Sequence, residues 1–233
     1  MDFVAWSASD MIAEQIHKRR KAAGLTRAQL AELCAAVGGP SLSPTVIGYI
    51  ETGRRDADGR RRREVAVDEL LIFAKAFEVS PLLLLFPLDE VGERTIGVLP
   101  GRELPMWLAA KWFTGEGPLG HRNPEDGRWY VDTDEFETWQ RNNSPLDLRR
   151  EHDYQVKRWN DAKGDAEWYR SVAETASTSA QRETALAAAD AMESEARNLE
   201  DRLRETRREM KRSGLTPPEL NDVLKYVDEE VRR

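Results

Sequence analysis

The stretch Leu25–Gly53, LTRAQLAELCAAVGGPSLSPTVIGYIETG, decides the fold of the N-terminal part of the chain. Thr26, with a glutamine three residues later, forms a capping box and begins a helix. Ser43 and Pro44 begin a second helix, because serine accepts a backbone N–H at a helix start and proline has none to lose. Gly53 supplies the left-handed residue that ends it. The stretch therefore predicts two short helices joined by a loop.

Three further helices are predicted around these two. The first begins at Ser9 or Asp10, the fourth at Val67 and the fifth, which is almost wholly apolar, at Ser80. Apolar residues recur in these segments every three or four positions, so one face of each helix is expected in a shared core. Residues 9–87 are thus predicted to form an all-α domain of five helices.

Positive charge is concentrated around the same helices. Between residues 18 and 63 the chain carries eleven Lys or Arg and four Asp or Glu, whereas its total net charge is −7. A basic segment on an acidic chain is typical of a module that binds nucleic acid. A charged run is also a common solvated surface, and this alternative stays open for the Arg-rich loop after Gly53.

The third helix has a compact outer face. With Ile47 and Ile50 turned toward the core, Thr45, Gly48 and Tyr49 are left on the outside. A helix whose outer residues are mostly small and polar fits the major groove of DNA. Helix order, caps and charge together favour a DNA-binding function.

Several separated elements resemble the Xre family of phage-repressor-like (Cro-like) helix-turn-helix regulators over residues 10–87. The matching elements are Gly24-Leu25-Thr26, Gln29-Leu30-Ala31-Glu32, Ser43-x-x-x-Ile47-x-x-Ile50-Glu51-x-Gly53 and VAVDELLIFAKAFEVSPLLLLF. The resemblance implies a sequence-specific transcriptional regulator, as repressors of this family are, that binds double-stranded DNA. It also implies an internal ion pair between Arg20 and Glu51.

The resemblance implies that the start of the third helix reads bases, which places Pro44, Thr45 and Tyr49 at the base edges, and that Arg27 contacts phosphate. Gly48 joins the base-reading set because the backbone can approach DNA or the preceding helix there. Guanidinium groups after the reading helix are suited to phosphates. The expected phosphate set is therefore Arg27, Ser43, Arg54, Arg55, Arg60, Arg61, Arg62 and Arg63.

Three features depart from the family pattern. The loop Ala35–Leu42 is longer than usual, Arg19 stands where an apolar residue is common, and Pro44 has no side-chain hydrogen-bonding group. Pro44 suits apolar contact with a thymine methyl group. We therefore expect fewer direct base contacts and a greater dependence on backbone clamping.

The middle of the chain, residues 88–145, is aromatic-rich and irregular. Short strands are predicted at 95–99 and 128–131, and a short helix over MWLAAKWF (106–113). The segment is either a small ligand pocket with tryptophan walls or a connector whose aromatic side chains pack on neighbouring parts. The connector is favoured, because no convergent set of polar groups is visible.

No metal or cofactor site is expected. His121 and His152 have no metal-ligand spacing, and the chain has a single cysteine, which cannot build a zinc site. That cysteine, Cys34, is expected to be a small buried core residue rather than a reactive thiol. No Ser/His/Asp or Cys/His set and no glycine-rich phosphate loop is present, so an enzyme is not expected.

Residues 146–233 are predicted to form a coiled-coil hairpin. Small or apolar residues recur at coiled-coil spacings along two runs that Ser177-Thr178-Ser179 separates. The first run is Leu148, His152, Gln155, Trp159, Ala162, Ala166, Tyr169, Ala173 and Ala176. The second run is Ala185, Ala189, Met192, Ala196, Leu199, Leu203, Thr206 and Met210. A last helix is predicted from Pro217 to about Val231. Pairing within one chain or between chains stays open.

The sequence thus predicts a mainly α protein with three parts: the helix-turn-helix domain (9–87), the connector with short candidate strands (88–145) and the coiled-coil region (146–233). The leading function is a DNA-binding transcriptional regulator that forms a homodimer through its C-terminal helices. The alternative is an adaptor, antitoxin-like or anti-sigma-like, whose coiled coil binds a partner protein. The single cysteine, and the absence of a signal peptide and of a long apolar run, predict a cytoplasmic, nucleoid-associated protein without a membrane span.

Overall fold

Helices dominate the computed structural model, which describes residues 7–39, 41–57, 59, 61–88 and 94–228. The chain divides into two units, Met1–Val131 and Asp132–Arg233. Within the described residues the strands are short and form two-stranded sheets. The predicted class, mainly α with two long C-terminal helices packed together, is confirmed.

The first unit holds the helices that the N-terminal sequence predicts, followed by a small mixed segment. Its elements within the described residues are α1 (Ala8–Ala22), α2 (Arg27–Ala36), α3 (Pro44–Thr52), α4 (Val67–Ala76), α5 (Pro81–Leu85), β1 (Thr95–Leu99), β2 (Arg102–Pro105), α6 (Met106–Thr114), β3 (His121–Arg122) and β4 (Trp129–Tyr130).

The ends of α2 and α3 follow the predicted capping chemistry. Thr26 and Gln29 satisfy each other's backbone N–H groups in a capping box. The Ser43 hydroxyl accepts a backbone N–H at 3.3 Å, and Pro44 occupies the first helical position. Gly53 ends α3 with a φ of 73°, a backbone conformation that L side chains rarely adopt. These three helix boundaries lie where the sequence predicts them.

Helix α1 begins earlier than the predicted Ser9 or Asp10. Ser7 is the cap, and its hydroxyl accepts the N–H of Asp10 at 3.2 Å. The hydroxyl of Ser9 instead accepts the N–H of Val65 at 2.9 Å. Ser7, Ser9 and Asp10 can each cap a helix. Because Ser9 and Asp10 bind partners that are distant in the sequence, Ser7 is the residue that caps α1.

One apolar core joins the elements of the first unit. Helix α1 packs on α3 and α5, α2 packs on α3 and α4, and α4 packs on α5. The core continues into the segment after α5, where Ile96, Leu104 and Ala109 are buried in the same cluster. Trp112 and Trp129 pack partly buried against it. Part of the aromatic set thus packs on the helical core, while Trp107, Phe113 and Tyr130 are exposed.

The two small sheets are antiparallel. Strand β1 pairs with β2, with Ile96 opposite Leu104, and β3 pairs with β4, with His121 opposite Tyr130. The predicted strand at 95–99 is confirmed, whereas the one predicted at 128–131 shortens to two residues. Strands β2 and β3 carry no alternating apolar pattern in the sequence. They are defined by their hydrogen bonding to β1 and β4.

The second unit is a hairpin of two long helices, α7 (Thr133–Thr175) and α8 (Ser179–Arg212). Helix α7 starts well before the predicted residue 146 and includes Pro145 in its interior. A proline removes one helical hydrogen bond, and here the helix continues through it. Residues 133–144, which the sequence assigned to the connector, therefore belong to the long helix.

The predicted seam of the hairpin is confirmed in most positions. From α7 the buried members are His152, Gln155, Trp159, Ala162, Ala166 and Ala173. From α8 they are Ala185, Ala189, Ala196, Leu199, Leu203, Thr206 and Met210. The other predicted members, Leu148, Tyr169, Ala176 and Met192, are half-buried. In this fold the seam pairs within one chain.

The predicted last helix does not form over the described residues 217–228, where the only helical element is a 3-10 turn at Lys225–Asp228. Leu220, Leu224 and Val227 are instead buried against the hairpin in the cluster around Trp159. These three residues therefore cover the hairpin without the predicted helix, while Val223 is exposed. Residues 229–231 lie outside the described ranges.

Candidate nucleic-acid interface

The predicted base-reading residues lie together on the outer face of α3. Pro44, Thr45, Gly48 and Tyr49 line an open depression, together with Thr52 and the side chain of Arg27. Ile47 and Ile50, on the opposite side of the helix, are fully buried in the core. The core contacts of α3 therefore decide which face is presented to solvent.

Arg27 reaches this depression from the first position of α2. Its guanidinium group is bound by Glu51, with Nε 2.8 Å from Oε2, and 43% of its side chain remains exposed. A Cβ atom added at Gly48 would lie 3.5 Å from Nη1 of Arg27. That distance is an ordinary van der Waals contact, so the glycine is not required to admit the arginine of the preceding helix.

The carboxylate of Glu51 contacts three basic side chains, those of Arg20, Arg27 and His17. Arg20 donates two hydrogen bonds to it, at 2.6 and 3.0 Å, and His17 Nδ1 lies 3.4 Å from Oε2. Burial by itself would raise the pKa of Glu51, but the hydrogen bonds from Arg20, Arg27 and His17 outweigh it and lower the pKa. The predicted Arg20–Glu51 ion pair is confirmed.

Two arginines of the loop after α3 bind Asp10 near the start of α1. Arg55 Nη2 lies 2.7 Å and Arg61 Nε 2.9 Å from Oδ1 of Asp10. Burial raises the pKa of Asp10, but the hydrogen bonds from Arg61 and Ser7 and the charges of both arginines lower it further than burial raises it. Arg55 and Arg61 therefore connect the described parts of the loop to α1.

The predicted phosphate ligands differ strongly in exposure. The Arg61 side chain is 5% exposed and also donates to the carbonyls of Ile50 and Arg63, at 2.8 and 3.0 Å. Arg63 binds the carboxylate of Glu69. The Arg61 guanidinium is thus buried, and partners of this chain occupy its donors.

Arg54 and Arg62 are exposed. The Arg54 guanidinium lies over the Tyr49 ring, 4.3 Å from its centroid. The Arg62 side chain forms no ion pair or hydrogen bond with the part of the chain that the structure describes. Ser43 is exposed but uses its oxygen as the α3 cap. Arg60, also predicted as a phosphate ligand, lies outside the described residues.

Cys34 is a core residue, as expected. It is fully buried, and burial raises the pKa of its thiol to about 11. A thiol with so high a pKa stays protonated and unreactive at neutral pH.

The sequence did not identify Asp10 and Glu69 as partners of the basic loop. Asp10 was predicted only as a helix cap, and its ion pairs with Arg55 and Arg61 span 45 and 51 residues. No local pattern marks an ion pair across such a separation. Only the approach of α1 to the loop after α3 brings Asp10 to Arg55 and Arg61.

Among the described residues, no helix combines the length and apolar character that crossing a bilayer requires. Comparisons of the chain with protein-family profiles, with curated proteins and with solved structures find no match.

Proposed function

We propose that the protein is a sequence-specific DNA-binding regulator of transcription, with α2 and α3 acting as an Xre-type helix-turn-helix. The observation that carries this proposal is the outer face of α3, where Pro44, Thr45, Gly48 and Tyr49 line one depression bordered by Arg27. The major groove admits an α-helix, and short side chains allow close approach to base edges. We expect a protein with this role to be cytoplasmic and associated with the nucleoid.

The proposed phosphate contacts are the exposed cations around this face. Arg62 is exposed, and Arg27 and Arg55 keep 43% and 46% of their side chains exposed despite their carboxylate partners. Arg60, Arg63 and Ser43 remain members of the predicted set. We assign Arg61 a positioning role, because its buried guanidinium joins Asp10 to the end of α3 and so fixes the loop.

The test is selection of bound fragments from random double-stranded DNA with the full-length protein, followed by titration at several salt concentrations. Arg62→Ala should weaken binding to every sequence and reduce the slope of log affinity against log salt by roughly 0.9. The matched control is Arg128→Ala, since Arg128 is an 87% exposed arginine of the same unit that does not line the depression. A protein that enriches no sequence contradicts the proposed function.

We further propose that two copies bind DNA together, since operator-binding domains of this type commonly occupy paired half-sites. In the hairpin unit Trp168 is 60%, Tyr154 53% and Leu186 42% exposed, which offers apolar surface for a second copy. The expected result is a palindromic site with half-sites about one helical turn apart and a dimer mass on DNA. A monomer on a single asymmetric site contradicts it.

The same exposed apolar residues favour a second candidate function, an adaptor whose hairpin binds a partner protein. The tip of the hairpin has an open depression lined largely by small or apolar residues, among them Val172, Ala176 and Ala180. Trp168→Ala in the full-length chain is the discriminating variant. If it abolishes stoichiometric capture of a partner while DNA affinity is unchanged, the adaptor function is supported. If it changes only the oligomeric mass, the dimer is supported.

A further inference from the structure

Tyr49 and Arg54 form a stacked pair at the end of α3. The Arg54 guanidinium carbon lies 4.3 Å from the centroid of the Tyr49 ring, within the range of a cation–π contact. Tyr49 is 38% exposed and lines the same depression as Pro44, Thr45 and Gly48. The stack therefore holds the guanidinium on Tyr49, one of the residues proposed to face bases.

The donors of Arg54 are available to a ligand. Arg27, Arg55, Arg61 and Arg63 each bind a carboxylate of this chain. The Arg54 guanidinium forms no ion pair or hydrogen bond with the described residues, and its contact is the Tyr49 ring. A guanidinium has five N–H donors in one plane, and stacking covers the face of that plane while leaving its edges open.

The backbone at this point has an unusual conformation. Gly53 and Arg54 both have positive φ angles, 73° and 45°, so the chain turns sharply where α3 ends. An arginine in the left-handed region is strained, whereas glycine or asparagine is not. Strain of this kind tends to persist where the position serves a function. Here it accompanies the return of the Arg54 side chain to the reading helix.

We propose that Arg54, stacked on Tyr49, reads a guanine in the major groove. Guanine presents the acceptors N7 and O6 side by side, and a guanidinium edge donates to both at once, with a geometry that no other base offers. The sequence had placed Arg54 among the phosphate ligands, which carry no sequence information. This inference rests on the proposed DNA-binding function and names one specificity determinant within it.

The experiment uses the full-length protein, the site it selects from random double-stranded DNA, and single-base variants of that site. For one guanine position, Arg54→Ala should reduce the preference for guanine by roughly 10- to 100-fold, the range of one bidentate base contact. Arg54→Lys keeps a donor for guanine but loses the planar fork that stacks on Tyr49, so it should keep only part of the preference. Arg62→Ala is the matched control and should weaken all sequences equally, with a smaller salt slope.

Tyr49 variants test the stack itself. Tyr49→Phe keeps the ring and should retain the guanine preference, whereas Tyr49→Ala should lose it. Adding Arg54→Ala to Tyr49→Ala should reduce the guanine preference little further, because each change removes the same contact. Thermal unfolding of each variant checks that the fold is intact.

The inference is overturned if Arg54→Ala weakens every sequence by the same factor, or if Arg54→Lys keeps the full preference for guanine. The first result would make Arg54 a phosphate contact, and the second would show that the stacked planar guanidinium is not the group that reads the base; DNA binding stands in both cases. If the wild-type protein selects no sequence at all, the proposed function fails and the guanine assignment fails with it.

Discussion

The carboxylate of Asp10, near the start of α1, holds the guanidinium of Arg61 across 51 residues, with Oδ1 2.9 Å from Nε. The two side chains are only 11% and 5% exposed. Arg61 also donates to the carbonyl of Ile50 near the end of α3. One arginine of the basic loop is thus a structural connection between α1, α3 and the loop, whereas its sequence neighbour Arg62 is exposed.

From this connection we predict that Arg61→Ala lowers the free energy of unfolding of the first unit by about 3 kcal/mol, since it leaves a buried carboxylate with fewer partners. Arg62→Ala should change it by less than about 0.5 kcal/mol, as exposed substitutions usually do. Native-state hydrogen exchange at the amides of α3 and α4 measures both variants. Equal stability of the two variants would contradict the structural role of Arg61.

A second prediction concerns acid stability at Glu51. Since hydrogen bonds from Arg20, Arg27 and His17 outweigh burial and hold its pKa below the usual 4.5, the carboxylate stabilises the fold above about pH 4.5. That contribution is lost as the pH falls through the lowered pKa of the folded state. Glu51→Gln should therefore be less stable than wild type at pH 7 but lose less stability on acidification.

Thermal unfolding of wild type and Glu51→Gln between pH 7 and pH 3 provides the measurement. The expected result is a gap between the two proteins that narrows as the pH falls. Asp10 also has a lowered pKa and titrates in both proteins, so the difference between them isolates Glu51. A gap that stays constant with pH would show that Glu51 contributes no titrating stabilisation.

A third prediction concerns the buried pair His152 and Arg207 in the hairpin unit. Arg207 Nη1 lies 2.8 Å from His152 Nε2 and 2.7 Å from the carbonyl oxygen of Pro218, and Arg207 Nε donates to Asp228 at 2.9 Å. Arginine can only donate, so Nε2 must accept and the imidazole must be neutral. Protonation of His152 would weaken this junction, which holds the segment after α8 on the hairpin.

The sign of the pH effect follows from the direction of the shift. Burial lowers the pKa of His152 below its ordinary 6.5 and the charge of Arg207 acts in the same direction, against the hydrogen bond with Asp153. Stability is therefore full above about pH 6.5 and falls as the pH drops toward the lowered pKa. Hydrogen exchange of residues 220–228 should quicken between pH 7 and 5.5, beyond the intrinsic pH dependence of exchange. His152→Gln, which keeps an acceptor without titrating, should not show this change.

A fourth prediction concerns the alanine-rich seam between α7 and α8. Ala166 is fully buried, so the two helices approach closely there. Ala166→Leu should destabilise the hairpin by roughly 1–3 kcal/mol, because a well-packed interior has no room for three more carbon atoms. Ala187→Leu, at an exposed position of α8, is the control and should be nearly neutral. Urea unfolding compares them, and equal effects would mean that the seam is loosely packed.

The sequence by itself determined the helix boundaries around Thr26, Ser43 and Gly53, and most of the hairpin seam. These features are local: a cap needs partners within three or four residues, and a seam needs only a regular spacing of small and apolar positions. Helical periodicity also predicted that Thr45, Gly48 and Tyr49 share the outer face of α3, whereas the family resemblance added Pro44 to that set.

Tertiary structure alone decided what each arginine does. Arg54, Arg61 and Arg62 belong to the same Arg-rich stretch, and the sequence predicts the same role for all three. In the structure Arg54 stacks on Tyr49, Arg61 is buried against Asp10 and Arg62 is exposed. It also decided that the segment Pro217–Asp228 packs on the hairpin without forming the predicted helix. In both cases the deciding partners lie many residues away, and the energy of burying or pairing a group depends on those partners and not on its neighbours in sequence.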